Sequence, residues 1–156
     1  MRPVKELLIP GVRGKLPREV TGIAIDRKAD VLFFLHAFNL KQAWKPRNPE
    51  RDVAPVLFKY VVHYADGSTA DVPVRYGLGA DHWISKEPAG LKDAMVAWSA
   101  PLANGEPGDR AAIYQMQWNN PHPELPIASV DLAYDRGTGG HHGVPVLLGI
   151  TAATAQ

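Results

Sequence analysis

The sequence predicts an all-β fold, an antiparallel β-sandwich of jelly-roll type that forms a single domain over residues 1–156. Glycine and proline each occur 14 times, and they divide a chain that is 46% hydrophobic into short segments. Several of these segments alternate between apolar and polar residues, which is the period of a strand with one buried face. Short alternating segments separated by turn residues favour a sandwich or barrel over a helical or βαβ fold.

The first third of the chain, residues 1–52, contains three predicted strands and one long loop. Residues 4–9 are an apolar run that ends at Pro10-Gly11, and residues 20–26 alternate between larger and smaller side chains. Residues 30–38 are almost wholly apolar, so this strand is expected to be buried on both faces or covered by a loop on its outer side. Residues 39–52 show neither a helical nor a strand period and are predicted to form a surface loop.

A hairpin is predicted around Asp66-Gly67, between strands at residues 55–65 and 69–76. Asp-Gly is favoured in the two-residue type I′ turn, which requires a positive φ at both central positions. The side chains of Phe58, Tyr60, Val62 and Tyr64 are expected to share the core face of the first strand. The other face, which carries Lys, Val and His, is expected to be more exposed to solvent than the core face.

The second half of the chain continues with four predicted strands, at residues 94–102, 110–118, 127–134 and 144–152. A glycine-containing loop at residues 77–83 precedes them, and a second one at residues 137–143 carries His141 and His142. In the strand at 110–118, Ile113, Gln115 and Gln117 alternate with Tyr114, Met116 and Trp118, so the two groups are expected on opposite faces. The total is about nine strands.

Composition excludes several classes of function. The chain has no cysteine, which rules out thiolate zinc sites, iron–sulfur clusters, cysteine nucleophiles and disulfide frameworks. Its formal net charge is +1 without a long basic run, so nucleic acid is not an expected partner. No apolar run approaches the roughly 20 residues of a membrane span, and the first residues lack the apolar stretch of a signal peptide, so no membrane partner is expected either.

The six histidines do not follow a metal-binding pattern. They include neither a His-x-His pair nor a His-Glu-x-x-His motif, and His36 is interpreted as a hydrogen-bonded core residue. The serines lack the Gly-x-Ser-x-Gly turn, whereas a pair of catalytic carboxylates stays open because such a pair is recognised only in space. These patterns favour a protein without catalytic residues.

The tryptophans indicate a different kind of site. Trp44, Trp83 and Trp118 fall at or near predicted loops, and Trp98 is expected in the core. An indole ring can pack against the apolar face of a sugar while neighbouring polar side chains bond to its hydroxyl groups. Loop tryptophans beside amides and acids are therefore typical of a carbohydrate-binding protein.

Several segments together resemble the galactose-binding-like β-sandwich modules that are appended to bacterial glycoside hydrolases. The resemblance spans about residues 20–152 and is carried by Arg-Lys-Ala-Asp-Val-Leu-Phe-Phe-Leu-His-Ala (27–37), Tyr-Val-Val-His-Tyr-Ala-Asp-Gly (60–67), Asp-His-Trp (81–83), Ala-Trp (97–98), Trp-Asn-Asn-Pro-His-Pro (118–123) and Ile-Ala-Ser-Val-Asp (127–131). It implies a galactose-binding-domain-like jelly roll with its ligand site on loops at one end. It also implies an extracellular or periplasmic location, a catalytic domain in the same larger protein, and a structural calcium ion.

The sequence therefore predicts a non-catalytic carbohydrate-binding module for an oligo- or polysaccharide. Its expected ligand-binding residues are two stacking platforms and five polar contacts: Trp44, Trp83, Asp81, His82, Asn119, Asn120 and His122. Two alternatives stay open. One is a structural domain that docks on a catalytic partner without binding glycan, and the other is a small enzyme that uses a metal held by histidines from several strands.

Overall fold

The computed structural model describes residues 19–41, 43–133 and 143–155, and all of its regular elements in these ranges are strands. In chain order they are β1 (Glu19–Arg27), β2 (Val31–Leu40), β3 (Val56–Tyr64), β4 (Thr69–Arg75), β5 (Ile84–Ser85), β6 (Ala94–Pro101), β7 (Arg110–Asn119), β8 (Ile127–Ala133) and β9 (Gly143–Ala153). The predicted all-β class is confirmed. The strand predicted at residues 4–9 lies outside the described residues, as do His141 and His142.

The strands form two antiparallel sheets. The four-stranded sheet has the order β1-β8-β3-β4, and the five-stranded sheet has the order β5-β7-β2-β9 with β6 also paired to β7. Since β7 pairs through the same residues with both β5 and β6, these two strands lie on opposite sides of it. The described residues include no helix that is long and apolar enough to cross a membrane.

The two sheets pack face to face through aromatic side chains from β2 and β3. Phe34 stacks on Tyr60 with ring centroids 4.0 Å apart, and Phe38 lies parallel to Phe58 at 5.9 Å. All four rings are fully buried. This contact makes the architecture a β-sandwich, because each sheet covers the apolar face of the other.

Alternation along β3 is as predicted. Phe58, Tyr60, Val62 and Tyr64 are buried, whereas the intervening residues are partly exposed. Strand β2 differs from its prediction, because its outward residues are half-buried and only one of its faces belongs to the core. The sequence does not reveal this difference, since the outward residues of β2 are also apolar.

The hairpin between β3 and β4 is present, but the type I′ turn predicted for it is wrong. Gly67 has a φ of +86°, whereas Asp26 is the only non-glycine residue with positive φ in the described ranges, so Asp66 does not meet the type I′ requirement. The amide of Gly67 donates to the carbonyl of Tyr64 (3.0 Å), and the amide of Tyr64 donates to the carbonyl of Ser68 (2.9 Å). This is a longer loop that ends in a glycine bulge, and Asp66 stabilises it by accepting from the amide of Ser68 at 2.9 Å.

The expectation that Trp98 lies in the core is also wrong. Its side chain is 52% exposed. Regular alternation after Ala94 and Val96 would turn Trp98 inward, but a β-bulge between Val96 and Trp98 shifts the register. As a result, Trp98 pairs with Ile113 and faces outward from the five-stranded sheet.

Candidate functional site

The predicted ligand-binding residues lie at two opposite ends of the sandwich. Asn119 pairs with Val31 at the start of β2, whereas His82 pairs with Phe38 near the end of the same strand. Seven residue steps separate these two positions of β2, which corresponds to roughly 25 Å along an extended strand. One small glycan cannot contact both groups at once.

At the end of β2, Trp44 and its neighbours are engaged with the protein. Trp44 is half-buried and packs edge-to-face against Tyr76, with centroids 6.2 Å apart and planes at 69°. The amide of Leu40 donates to Nδ1 of His82 (3.1 Å), and the carboxylate of Asp81 accepts from the amide of His82 (2.6 Å). Burial lowers the pKa of His82, which keeps this ring neutral and able to accept at Nδ1.

Trp83 fastens the same loop into the sheet. Its amide donates to the carbonyl of Phe38 (2.9 Å), and its carbonyl accepts from the amide of Ala112 (2.8 Å). The backbone of Trp83 therefore bridges β2 and β7, and it leads directly into β5, a two-residue strand that the sequence did not predict. The indole of Trp83 is half-buried.

At the other end, Asn120 is a structural residue. It is 7% exposed, and its carboxamide oxygen accepts from the hydroxyl of Tyr64 (2.6 Å) and from the amide of His122 (3.0 Å). Its Nδ2 donates to the carbonyls of Ala29 (2.7 Å) and His122 (3.2 Å). The exposed ring of His122 lies 3.5 Å from the carboxylate of Glu124. Asn120 thus holds the turn after β7 in place.

Asn119 belongs to a different feature, a row of amide side chains along β7. Gln115, Gln117 and Asn119 all face outward from the five-stranded sheet, and Nε2 of Gln117 donates to Oδ1 of Asn119 at 2.9 Å. These three side chains form the floor of a shallow groove of about 460 Å³, whose wall is formed by residues 91–95. We call this feature the amide groove. Its volume falls within the range of small-molecule sites.

Exposed apolar side chains border the amide groove on β6. Met95 pairs with Gln115 and is 58% exposed, and Trp98 pairs with Ile113, which precedes Gln115 by two residues on β7. The spacing of two residues along a strand is roughly 7 Å. An exposed indole therefore lies on the same outer face as the amides, next to the Gln115 end of their row.

The other half of this outer face is apolar. On β2, Phe33 pairs with Gln117 and Leu35 pairs with Gln115, and both apolar side chains are half-buried. On β9, Leu148 occupies a bulge and is 52% exposed. The outer face of the five-stranded sheet thus combines a polar groove on β6 and β7 with an apolar strip on β2 and β9.

A histidine–aspartate pair lies on the outer face of the four-stranded sheet. Nε2 of His63 is 2.7 Å from Oδ2 of Asp131, and the other carboxylate oxygen accepts from the amide of Gly22 at 2.8 Å. Gly22 has a φ of +72°, within the bulged part of β1 that brings its amide to Asp131. These contacts of Asp131 on β8 join it to β1 and β3.

Across the ranges that the structure describes, no three His, Asp or Glu side chains are grouped to hold a metal ion.

The interpretation of His36 as a hydrogen-bonded core residue is confirmed. Its side chain is fully buried, with Nδ1 2.9 Å from the hydroxyl of Tyr60 and Nε2 2.8 Å from the carbonyl of Gly79. Since a carbonyl only accepts, Nε2 carries the proton and Nδ1 accepts from the tyrosine. Burial lowers the pKa of His36 to about 4, so the ring is neutral at pH 7.

Sequence reasoning missed the amide groove, although part of its signal was present. The alternation of Gln115 and Gln117 with Tyr114 and Met116 placed two amides on the outer face of a predicted strand. The exposed tryptophan beside them could not be recognised, because its position depends on the bulge in β6.

Comparison with known proteins identifies no relative for this chain. No family model, no curated protein and no solved structure matches it. The geometry of the described residues is therefore the basis for a functional conclusion.

Proposed function

We propose that this protein is a non-catalytic carbohydrate-binding module that binds an oligo- or polysaccharide in the amide groove. The observation that carries the proposal is the exposed indole of Trp98, paired with Ile113, next to the Gln115 end of the groove that Gln115, Gln117 and Asn119 line. The flat indole supplies an apolar surface for the C–H face of a pyranose. Each amide offers both donors and an acceptor to sugar hydroxyl groups.

Because the groove is open and shallow, we expect it to bind its ligand weakly. A site on a sheet face leaves much of its ligand in water, and a dissociation constant near the millimolar end of the scale corresponds to about −4 kcal/mol. The resemblance to galactose-binding-like modules adds support of another kind. It suggests that the chain serves a polysaccharide-degrading enzyme outside the cytoplasm, in which case the module would hold the catalytic domain near its substrate.

A binding screen tests this proposal. The chain is titrated with cellohexaose, xylohexaose, mannohexaose and laminarihexaose and with soluble polysaccharides, in calcium and again in chelator. Binding that requires calcium would assign the ion a role in the fold or the site. The absence of binding to every glycan by a folded sample would contradict the proposal.

Two substitutions localise the site. Trp98→Ala should weaken binding of the positive glycan about tenfold or more, which corresponds to 1.4 kcal/mol. Trp44→Ala is the matched control, since Trp44 packs against Tyr76 in the loop after β2 and belongs to neither β6 nor β7. If only Trp44→Ala reduced affinity, the site would lie at that loop and the groove would be wrong.

A second candidate function is supported by the apolar strip on β2 and β9. In this alternative, the protein is a structural domain that docks on a catalytic partner without binding glycan. The docking surface would be the strip formed by Phe33, Leu35 and Leu148. The substitution Leu148→Glu separates the two functions. It should leave glycan affinity unchanged in a binding module, and it should weaken assembly with the catalytic domain in a docking domain.

A further inference from the structure

His36 connects the core of the sandwich to the segment between β4 and β5. Its Nε2–H donates to the carbonyl of Gly79 (2.8 Å), and its Nδ1 is fixed by the hydroxyl of Tyr60 on the facing sheet (2.9 Å). The ring also packs edge-to-face against Phe58, with centroids 5.4 Å apart. These contacts give the donor of His36 one direction, toward Gly79.

The segment that His36 holds is tightly folded against the core. Gly79 is buried and its amide donates to the carbonyl of Arg75 (3.0 Å). A Cβ atom at Gly79 would lie 2.9 Å from Sδ of Met116 and 3.1 Å from Cγ1 of Val74. Any larger residue would have to displace these two side chains, so glycine suits the close approach that brings its carbonyl to the buried histidine.

The next hydrogen bond leads from this segment to the wall of the amide groove. The carbonyl of Leu78, adjacent to Gly79, accepts from the amide of Asp93 at 2.9 Å. Asp93 is part of the groove wall at residues 91–95, in which the amide of Leu91 also donates to the carbonyl of Ala94 at 2.7 Å. Two hydrogen bonds in series therefore join His36 to the groove.

We infer that His36 is a positioning residue for the amide groove, acting through Gly79, Leu78 and Asp93 to hold the groove wall beside its amide floor. The inference rests on the proposed function for its consequence, which is that glycan affinity depends on a histidine that no glycan touches. A preorganised wall spares the ligand the entropic cost of ordering it, so a loosened wall weakens binding.

Backbone amide hydrogen exchange tests the first link without any ligand. His36→Leu removes the donor to Gly79, and exchange at Asp93 should become about tenfold faster or more. His36→Gln keeps an N–H donor and should restore exchange to within about twofold of the original chain. The matched control is Val62→Ala, which removes buried core atoms from β3 without altering this chain of hydrogen bonds. If Asp93 exchanged no faster in His36→Leu than in Val62→Ala, the inference would be overturned.

A second variant covers the case in which His36→Leu does not fold. Gly79→Ala leaves His36 intact and pushes the segment away from Met116 and Val74, so exchange at Asp93 should again accelerate. Unchanged exchange at Asp93 in that variant would contradict the connection.

Titration of the same variants with the four hexasaccharides tests the second link. Affinity of the best ligand should fall about fivefold or more in His36→Leu and should recover in His36→Gln. Faster exchange with undiminished affinity would overturn the link between His36 and the groove. Faster exchange in a chain that binds none of the glycans would overturn the proposed function and leave the positioning of residues 91–95 by His36 established.

Discussion

His36 illustrates at the residue scale how a polar group is accommodated in an aromatic core. A neutral imidazole has one donor and one acceptor, and Gly79 and Tyr60 satisfy both. A charged imidazolium would lose its hydration in the same place, which is the reason that the pKa of His36 falls to about 4. At pH 7 the ring therefore ties the sheets together as a neutral group.

This burial predicts a loss of stability in mild acid. The pKa of His36 is about 6.5 in the unfolded chain and about 4 in the folded one, so the unfolded state takes up the proton first as the pH falls. The free energy of unfolding should decrease from pH 6.5 down to pH 4, by about 3 kcal/mol from this residue. Urea unfolding at several pH values across this range measures the decrease in the free energy of unfolding. His36→Gln should remove most of the decrease, and an equally steep decrease in that variant would assign it to other groups, His82 among them.

Trp98 is the most exposed of the four tryptophans, and a quencher should detect this directly. Its side chain is 52% exposed, whereas Trp44, Trp83 and Trp118 are half-buried. Trp98→Phe should therefore remove the largest share of the fluorescence that acrylamide quenches, and it should change stability by less than about 1 kcal/mol. Phe34→Ala is a contrasting core variant that should cost about 3–5 kcal/mol. Quenching that is unchanged by Trp98→Phe would place this indole in the interior.

At the scale of the elements, bulges and turns decide which face of its sheet each side chain occupies. In β6, one extra residue converts an inward tryptophan into an outward one. On β8, Ile127 pairs with Tyr64 of β3 and Ser129 pairs with His63. The residue of β8 between Ile127 and Ser129 is therefore an extra one, and Ile127 is turned into the core. Such shifts depend on the partner strand, and regular alternation in the sequence does not reveal them.

The hairpin between β3 and β4 depends on glycine at one position. Gly67 has a φ of +86°, and Gly67→Ala should lower stability by about 1 kcal/mol because an L-residue is strained there. Gly90→Ala is the matched control, since Gly90 is exposed, has no positive φ and has only the carbonyl oxygen of Ala94 at 4.0 Å from its would-be Cβ. Thermal unfolding of the two variants compares them. Equal effects would contradict the turn geometry.

Asp131 fastens the edge strand β1 to the rest of its sheet. It accepts from Gly22 on β1 and lies 2.7 Å from Nε2 of His63 on β3, with 19% of its side chain exposed. Asp131→Ala should lower stability by about 1 kcal/mol and accelerate amide exchange at Gly22. Asp71→Ala is the control, because Asp71 is 56% exposed in its ion pair with Lys59 and an exposed pair contributes less than about 1 kcal/mol. Unchanged exchange at Gly22 in Asp131→Ala would show that β1 is held by its strand pairing alone.

At the scale of the whole molecule, local patterns predicted the elements better than the site. The alternation of Phe58 to Tyr64 and the Asp66-Gly67 turn signal placed β3, β4 and the loop between them, because burial and turn chemistry are local properties of a sequence. The short strand β5 was missed, since a two-residue strand has no period. The predicted type I′ turn was wrong because Asp-Gly also suits a glycine bulge.

The candidate site could be predicted only in part, because it is assembled from strands that are distant in sequence. Asn119 was expected to bind ligand and does lie in the amide groove, whereas Asn120, its neighbour, is buried and holds a turn. The predicted combination of Trp83 with Asn119 would have required one end of the sandwich to carry both. Strand order and register separate them, and neither is evident from one sequence.

Mapping of glycan binding by NMR tests the central claim most directly. A ligand from the screen is titrated into the chain while the side-chain amide signals of Gln115, Gln117 and Asn119 and the indole signal of Trp98 are followed. The account predicts that these four signals shift together with one dissociation constant. Shifts confined to Trp44, Trp83 and their loops, or a titration that leaves all four signals unmoved, would contradict it.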